Sequence, residues 1–357
     1  MERTKSLDEI GAWFFSLRTH YRIINRNHFH LRVCSDRRLI SVFKRVMNQY
    51  IKTIVILLIC LGVVPFARAQ APWQNAAQQP VLRTVADEVV RGYRFETHHL
   101  DSKDGQRHYK IYIAIPQAAP PPEGYASLYL LDGNAVMASL SSQDIQGLAA
   151  TDNPPVLVAV GYDIDTRNDV IARSYDYTPP VFQDGKKIAV TVRGRLGGGA
   201  DEFLALMNNV IKPLVQKRVA LNVQQQYVWG HSYGGLFVLY ALTQSNSGFT
   251  RFYAADPSLW WHDEALGPAL DHFSLDQRTA ARVAVYWGTR QSAPSSAMQA
   301  QARTPTATDR TQRVRRLLER LQQAQWQVSY EAFPQYGHGD MIMASLRRTL
   351  QSMSDPH

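Results

Sequence analysis

The stretch "VWGHSYGGLFVLYAL", residues 228–242, places a serine between two glycines in the pattern G-x-S-x-G. The pattern alone is a weak signal, because a chain of this length contains it by chance about one time in ten. Its surroundings are more informative, since a β-type run precedes Ser232 and an apolar helical run follows it. This strand-turn-helix setting is typical of a nucleophile elbow, so we predict that Ser232 is a nucleophile. A serine that caps a helix is the structural alternative.

A serine hydroxyl attacks an ester efficiently only when a base removes its proton. The segment "FPQYGHGDM" supplies His338 in a loop after the last predicted strand, where the α/β-hydrolase chain order places the base. The oxyanion formed on the attacked carbonyl needs N–H donors. We expect one from Tyr233, directly after the serine, and a second from Gly133 or Asn134 in the loop "LLDGNAVM".

The acid that would orient the histidine is harder to place. In the same chain order a carboxylate follows the predicted strand "RVAVYWG", but residues 289–291 contain none. This absence favours a Ser-His dyad whose imidazole is oriented by a backbone carbonyl or by water. Asp256, after the neighbouring predicted strand "FYAA", is the alternative acid, and Asp309 and Glu331 are more remote candidates.

The elements around these residues predict the fold class. The runs "YRFETHHL" and "RHYKIYIAI", separated by a turn, predict an antiparallel hairpin. The short apolar runs "SLYLL" and "PVLVAVGY" are typical of strands buried on both faces of a parallel sheet. Helical stretches, including residues 135–148 and a last helix from Met341, alternate with further strands. We therefore predict an α/β-hydrolase fold, three-layer α/β/α with a mostly parallel central sheet.

Two segments interrupt this alternation. Residues 163–199 form a long insertion rich in Tyr and Arg, which we expect to line a site. Residues 292–309 have a linker-like composition and are expected to be poorly ordered. His98 and His99 lie in the outer hairpin without a carboxylate cluster, so we predict no metal site there. No nucleotide or cofactor motif is recognisable, and we predict no cofactor.

The basic charge of the chain is concentrated at its N-terminus. Residues 1–69 contain 12 of the 39 Lys and Arg residues but only 4 of the 30 Asp and Glu residues. The remaining chain is therefore close to neutral, which argues against a nucleic-acid partner. Four arginines between residues 313 and 320 alternate with an apolar stripe at helical spacing, and we interpret them as the solvated face of an amphipathic helix.

The cause of this asymmetry is a segment with the features of an export signal. Basic residues precede the apolar run "IVILLICLGVVPFA", and "ARA" follows at residues 67–69. The run is shorter than the roughly 20 residues that a spanning helix needs. We predict a signal peptide over residues 47–69, cleaved after Ala69, with an uncleaved membrane tether as the alternative. Residues 1–46 would then be an extension or the result of a misplaced start.

After this segment, residues 70–92 are rich in Pro, Gln and Ala, and we expect a mobile leader before a folded domain at 93–353. Cys34 and Cys60 both precede Ala69. The exported chain would therefore contain no cysteine, which excludes disulfides, cysteine nucleophiles and thiolate metal sites.

Several segments, taken in order, carry a resemblance to a known family: "LYLLDGNAVM", "PPVLVAVGYD", "RSYDYTPP", "VWGHSYGGLFVLYAL", "DPSLWW" and "FPQYGHGDMIMASLRRTL". They resemble the periplasmic siderophore esterases that open the trilactone of enterobactin and salmochelin, a branch of the esterase D group of α/β-hydrolases. The resemblance implies hydrolysis of the serine esters of a catecholate siderophore, metal-free or ferric, with Ser232 as nucleophile and His338 as base. It also implies a dyad. The chain departs from the family pattern at Asp256, where relatives tend to have Ser, and at Asp340, where they often have Pro.

Such a substrate carries three aromatic, partly anionic catecholates, so its site needs cationic and aromatic groups. We expect this lining to comprise Arg173, Tyr175, Tyr177, Trp260 and Trp261. A rigid structural loop is the alternative interpretation of "RSYDYTPP". We expect a periplasmic protein that contacts the membrane only through an uncleaved N-terminal segment, if at all. An acyl-ester or feruloyl-ester hydrolase or acyltransferase of the same fold, and a non-catalytic siderophore-binding protein, are the competing functions.

Overall fold

The computed structural model describes residues 78–274, 282–290 and 307–354, all within one compact unit that spans residues 70–357. The N-terminal extension, the predicted signal peptide and most of the linker-like segment at 292–309 lie outside the described residues. The strands, in chain order, are β1 (Tyr93–Asp101), β2 (His108–Pro116), β3 (Tyr125–Leu131), β4 (Val156–Tyr162), β5 (Val181–Gln183), β6 (Lys186–Ile188), β7 (Val190–Val192), β8 (Arg195–Gly197), β9 (Leu221–His231), β10 (Arg251–Ala255), β11 (Arg282–Gly288) and β12 (Gln327–Phe333).

Eight of these strands form a central sheet in the order β1-β2-β4-β3-β9-β10-β11-β12. Strand β2 pairs antiparallel with β1 and β4, and the remaining pairs are parallel. The predicted N-terminal hairpin and mostly parallel sheet are therefore confirmed. Because the parallel strands all end at one edge, the loops after β3, β9, β10 and β12 are brought together there.

Helices cover both faces of the sheet. They are α1 (Gly133–Met137), α2 (Ser142–Ala149), α3 (Ala172–Asp176), α4 (Ala200–Leu206), α5 (Lys212–Gln216), α6 (Tyr233–Thr243), α7 (Gly267–Asp271), α8 (Ala307–Gln323) and α9 (Met341–Ser354), with a π-helical turn, Met207–Ile211, between α4 and α5.

Alternate residues of the central strands point into two separate cores. On β3, Tyr129 and Leu131 pack with α4, α6 and α8, whereas Leu128 and Leu130 pack with α1, α2 and α9. Helix α6 lies under the centre of the sheet, and its residues 233–242 are all buried. Apolar residues on both faces of these strands produce the three-layer arrangement.

Three elements differ from the sequence predictions. The helix predicted at 135–148 is split into α1 and α2, because Ser141 accepts a hydrogen bond from the Asp144 N–H and the Asp144 carboxylate accepts from the Ser141 N–H. This capping box starts a new helix. The predicted mobile leader at 70–92 is packed in its C-terminal part, since the side chains of Val85 and Val90 are buried. The insertion at 163–199 contains α3 and two small hairpins, β5-β6 and β7-β8.

Within the described ranges, no helix has both the length and the apolar character needed to cross a membrane.

Candidate active site

Ser232 occupies the sharp turn between β9 and α6, with backbone angles φ 59° and ψ −114°. A residue other than glycine rarely adopts this strained backbone conformation, so neighbouring contacts must hold it in place. The Ser232 N–H donates to the Ala255 carbonyl over 2.9 Å. A Cβ atom on Gly230 would lie 2.4 Å from the carbonyl carbon of Gly234, so the strand and the helix can approach this closely because residue 230 is glycine. The turn thus has the geometry of a nucleophile elbow.

His338 follows β12, and its Nε2 lies 3.0 Å from the Ser232 Oγ. The loop that carries it is held by His231, whose Nε2 donates to the His338 carbonyl over 2.7 Å. Burial, together with the neighbouring His338 ring, holds the pKa of His231 well below its usual range. His231 is therefore neutral, with one ring N–H to donate, and this suits a role as a structural support of the loop.

The Asp256 carboxylate completes a chain of polar contacts behind His338. It follows β10 directly, is 6% exposed, and its Oδ2 lies 3.3 Å from the His338 Nδ1. Its other oxygen accepts the Gly288 N–H over 2.9 Å, and its own N–H donates to the Tyr286 carbonyl over 2.8 Å. The structure thus brings Ser232, His338 and Asp256 together, which is the arrangement of a serine-hydrolase triad.

The two other acids considered from the sequence lie elsewhere. Glu331 is on β12 and pairs with both Nε and Nη2 of Arg348, so it has a structural partner of its own. Asp309 lies in the first turn of α8, between β11 and β12 in the chain.

The loop after β3 carries the residues expected to supply the second oxyanion donor. Asp132 has a left-handed backbone, φ 56°, and its carboxylate is bound by Arg173 through two hydrogen bonds of 2.8 Å. Its N–H donates to the Tyr177 hydroxyl over 3.1 Å. These contacts fix the turn that leads into α1, of which Gly133 is the first residue.

Tyr233 and Gly133 are each the first residue of a helix, so their N–H groups have no acceptor within that helix. Strands β3 and β9 are neighbours in the sheet, and a Cβ atom on Gly234 would contact Leu131 at 3.4 Å. The two helix starts therefore lie side by side. Asn134 has a different environment: its side-chain amide donates to the Tyr162 carbonyl and accepts the Tyr162 N–H, which clamps the loop against β4.

The five residues expected to line a substrate site fall into two groups. Tyr177 and Trp261 are 0% and 1% exposed and belong to the core below the site. Arg173 binds Asp132, as described, and the Tyr175 hydroxyl donates to Glu202 over 2.7 Å. Trp260 is half-buried, and its ring centroid lies 5.9 Å from that of Tyr233. Two of the five therefore lie beside the ring of Tyr233, the residue that follows Ser232. They are Trp260 and Arg173, whose guanidinium carbon is 5.3 Å from the centroid of that ring.

His231, Asp256 and His338 each offer one potential metal ligand, and the three atoms lie within 4.8 Å of one another. Both ring nitrogens of His338 already contact Ser232 and Asp256. A metal ion bound here would replace those contacts, so the described geometry fits proton transfer better than metal binding. His99 in the outer hairpin pairs instead with Asp163.

Three residues of the site are absent from the sequence-based set. His231 lies inside the G-x-S-x-G pattern, directly before Ser232, so its place in the sequence indicates that it lies near the nucleophile. The hydroxyl of Ser258 lies 3.1 Å from the Ser232 Oγ, and its N–H donates to the Ser232 carbonyl. Gly288 contributes only a backbone N–H, which has no sequence signature.

Comparison with known proteins agrees with this geometry. The family model described as "Putative esterase" matches residues 102–351. The chain is 33% identical to the apo-salmochelin esterase of Escherichia coli O6:H1 (strain CFT073) over 303 residues, which cover 85% of this chain and 92% of that protein. It is 32% identical to the ferri-bacillibactin esterase BesA of Bacillus subtilis (strain 168) over 185 residues, 50% of this chain and 63% of that protein.

A solved structure of the enterobactin hydrolase IroE in complex with DFP superimposes with a TM-score of 0.63 at 33% identity. The match covers 76% of this chain and 98% of that chain. The predicted α/β-hydrolase fold and the predicted resemblance are thereby confirmed.

Proposed function

The chain belongs to the esterase family and is a carboxylic ester hydrolase, and on that premise we propose that it opens the ester bonds of a catecholate siderophore by serine catalysis. The observation that carries the proposal is the unbroken line of contacts from Ser232 through His338 to Asp256. The relatives named above act on salmochelin, bacillibactin and enterobactin, which supports a siderophore ester as substrate.

In the first half of the reaction, His338 accepts the Ser232 hydroxyl proton at Nε2 while the Oγ attacks the ester carbonyl. Asp256 keeps the Nδ1 proton directed toward itself and stabilises the imidazolium that forms. The carbonyl oxygen becomes an oxyanion, for which the N–H groups of Tyr233 and of Gly133 or Asn134 are the proposed donors. Collapse of this intermediate breaks the C–O bond, and His338 returns the proton to the departing alcohol.

The second half repeats these steps with water as the nucleophile. His338 takes a proton from water, the hydroxide attacks the acyl-enzyme carbonyl, and Ser232 leaves with the proton from His338. In a trilactone the departing alcohol stays tethered to the acyl group through the ring. The first turnover therefore linearises the molecule and leaves two further ester bonds as substrates for the same site.

The order of basic region, apolar run and small residues before residue 70 supports a periplasmic location for this reaction. The near-neutral remainder of the chain supports a small-molecule partner over a nucleic acid.

The proposal is tested with the full chain and its Ser232→Ala variant. Both are incubated with metal-free and ferric tris-catecholate trilactone and with 4-nitrophenyl esters, and the products are followed by mass spectrometry. We expect the native chain to give linear trimer, dimer and monomer, and the variant to give none. Fast cleavage of 4-nitrophenyl esters without lactone opening would mean that the natural substrate is a different ester. Binding of the trilactone without turnover by either protein would contradict the proposed catalysis.

A further inference from the structure

The hairpin β7-β8 in the insertion carries two arginines near the proposed nucleophile. Arg193 and Gly194 form its two-residue turn with φ values of 52° and 74°, the backbone of a type I′ turn. The hairpin is anchored below, since a Cβ atom on Gly197 would lie 2.5 Å from the ring of the buried Trp261. The turn thus presents Arg193 from a fixed support, with Arg195 following directly.

Arg193 lies over an aromatic ring that adjoins the elbow. Its guanidinium carbon is 4.0 Å from the centroid of the Trp260 ring, and Trp260 lies against Tyr233, which follows Ser232. Arg193 is exposed, whereas Arg195 and Trp260 are half-buried. These contacts place a cationic and aromatic surface against the side chain of Tyr233, the residue that follows Ser232.

Neither arginine has an acidic partner among the described residues. The other arginines around the site are paired: Arg173 binds Asp132, and Arg290 binds Asp340. Burial raises the pKa of Tyr233, and the positive charges of Arg193, Arg173 and Arg195 oppose that rise. Arg195 is thus, with Arg193, a positive charge on this hairpin that favours the ionised form of the Tyr233 hydroxyl. Guanidinium groups that have no acidic partner and lie on or beside an aromatic side chain are suited to bind a ring that carries negative charge.

From this arrangement we propose that Arg193, Arg195 and Trp260 form a subsite for an aromatic group carrying negative charge, next to Ser232. Trp260 supports the Arg193 guanidinium and contributes the aromatic surface that Arg193 leaves uncovered, and the two arginines supply the charge. The inference rests on the proposed function only in identifying that group as a catecholate arm of the substrate.

The kinetic test compares the native chain with an Arg193→Gln/Arg195→Gln variant on two matched substrates. These are the tris-catecholate trilactone and its fully O-methylated analogue, which keeps the rings but cannot ionise. We expect the ratio of kcat/KM for the catecholate over the methylated substrate to fall about tenfold in the variant. Arg316→Gln removes a similar exposed charge from α8 and should leave that ratio unchanged. Equal losses on both substrates, or no loss, would overturn the subsite.

A second measurement does not depend on lactone opening. Hydrolysis of 4-nitrophenyl acetate is inhibited with 2,3-dihydroxybenzoate, and with benzamide as the neutral counterpart. We expect the Ki of 2,3-dihydroxybenzoate to rise about tenfold in the double-arginine variant, with little change for benzamide, and both Ki values to rise in Trp260→Leu. No inhibition of the native chain by 2,3-dihydroxybenzoate contradicts the subsite. If this shift is seen but the native chain leaves the trilactone intact, the proposed function fails and the subsite stands.

Discussion

The carboxylate of Asp256 lies 3.3 Å from the Nδ1 of His338, although the two residues follow different strands of the sheet, β10 and β12. The strand between them, β11, ends in Gly288, whose N–H binds the second carboxylate oxygen. A Cβ atom at Gly288 would lie 3.1 Å from the Asp256 Oδ2 and 2.7 Å from Met341. The missing side chain on β11 therefore leaves the space that the carboxylate from β10 occupies.

This relationship predicts a large kinetic effect of Asp256→Asn. The amide keeps the shape of the side chain but removes the negative charge that supports the imidazolium. We expect kcat to fall by about two to four orders of magnitude, with the fold retained. The measurement is steady-state hydrolysis of 4-nitrophenyl acetate, with circular dichroism to verify folding.

The matched control for that change is Asp340→Asn, which alters another carboxylate two residues after His338. Asp340 is exposed and pairs with Arg290 rather than with the histidine. We expect kcat to stay within about twofold of the native value. Similar rates for the Asp256 variant and the native chain would mean that Ser232 and His338 act as a dyad.

Ser232 and Ser258 allow a second comparison, because their hydroxyl oxygens lie 3.1 Å apart. Ser232→Ala removes the proposed nucleophile, and kcat should fall by about five to six orders of magnitude. Ser258→Ala removes only a neighbouring hydroxyl, so a loss of about tenfold or less is expected. Labelling with a fluorophosphonate should modify the native chain and Ser258→Ala but not Ser232→Ala. Labelling of Ser232→Ala at Ser258 would reassign the nucleophile.

Local patterns account for what the sequence predicts correctly. The strand-turn-helix around Ser232 and the loop position of His338 both depend on short periodic runs and on chain order. The contact between Asp256 and His338 depends instead on the pairing of β10 with β11 and on the left-handed backbone of Asp256, φ 40°. Neither has a local sequence signal, so the sequence alone favours a dyad.

The insertion illustrates the same limit for side chains. Tyr177, in the insertion, and Trp261, after β10, are expected to line the site because a catecholate needs aromatic groups around it. Both side chains are instead buried in the hydrophobic core. Composition alone does not distinguish an aromatic residue that lines a site from one that fills a core below it.

Alanine should have opposite effects on stability at two glycines, Gly230 in the elbow and Gly147 in α2. A Cβ at Gly230 would lie 2.4 Å from the backbone of Gly234, which cannot move without shifting α6, so Gly230→Ala should destabilise the fold by more than about 3 kcal/mol. Gly147 lies in the exposed interior of α2 with no atom within 4 Å of a new Cβ. There alanine should stabilise by about 0.5–1 kcal/mol. Urea unfolding measures both, and a tolerated Gly230→Ala would contradict the close strand-helix contact.

A buried lysine predicts a pH-dependent stability. Lys212 is 6% exposed, and its Nζ donates to the carbonyls of Ser247 and Gly248 over 3.1 and 3.0 Å. Burial lowers the pKa of Lys212 to about 7, whereas the unfolded chain retains the proton up to about pH 10.4. Between these values the unfolded state binds more protons, so the free energy of unfolding rises with pH, by at most about 1.4 kcal/mol per pH unit. Below pH 7 both states are protonated and this contribution no longer changes.

Lys212→Met removes the titration but keeps a similar side-chain length. The difference in unfolding free energy between the native chain and this variant should therefore change steadily between pH 7 and 10, in favour of the native chain. Lys217→Met changes an exposed lysine just beyond the same helix, α5, and the corresponding difference should be independent of pH. Urea unfolding at several pH values measures both differences. Parallel curves for the native chain and Lys212→Met would show that Lys212 stays charged in the folded protein.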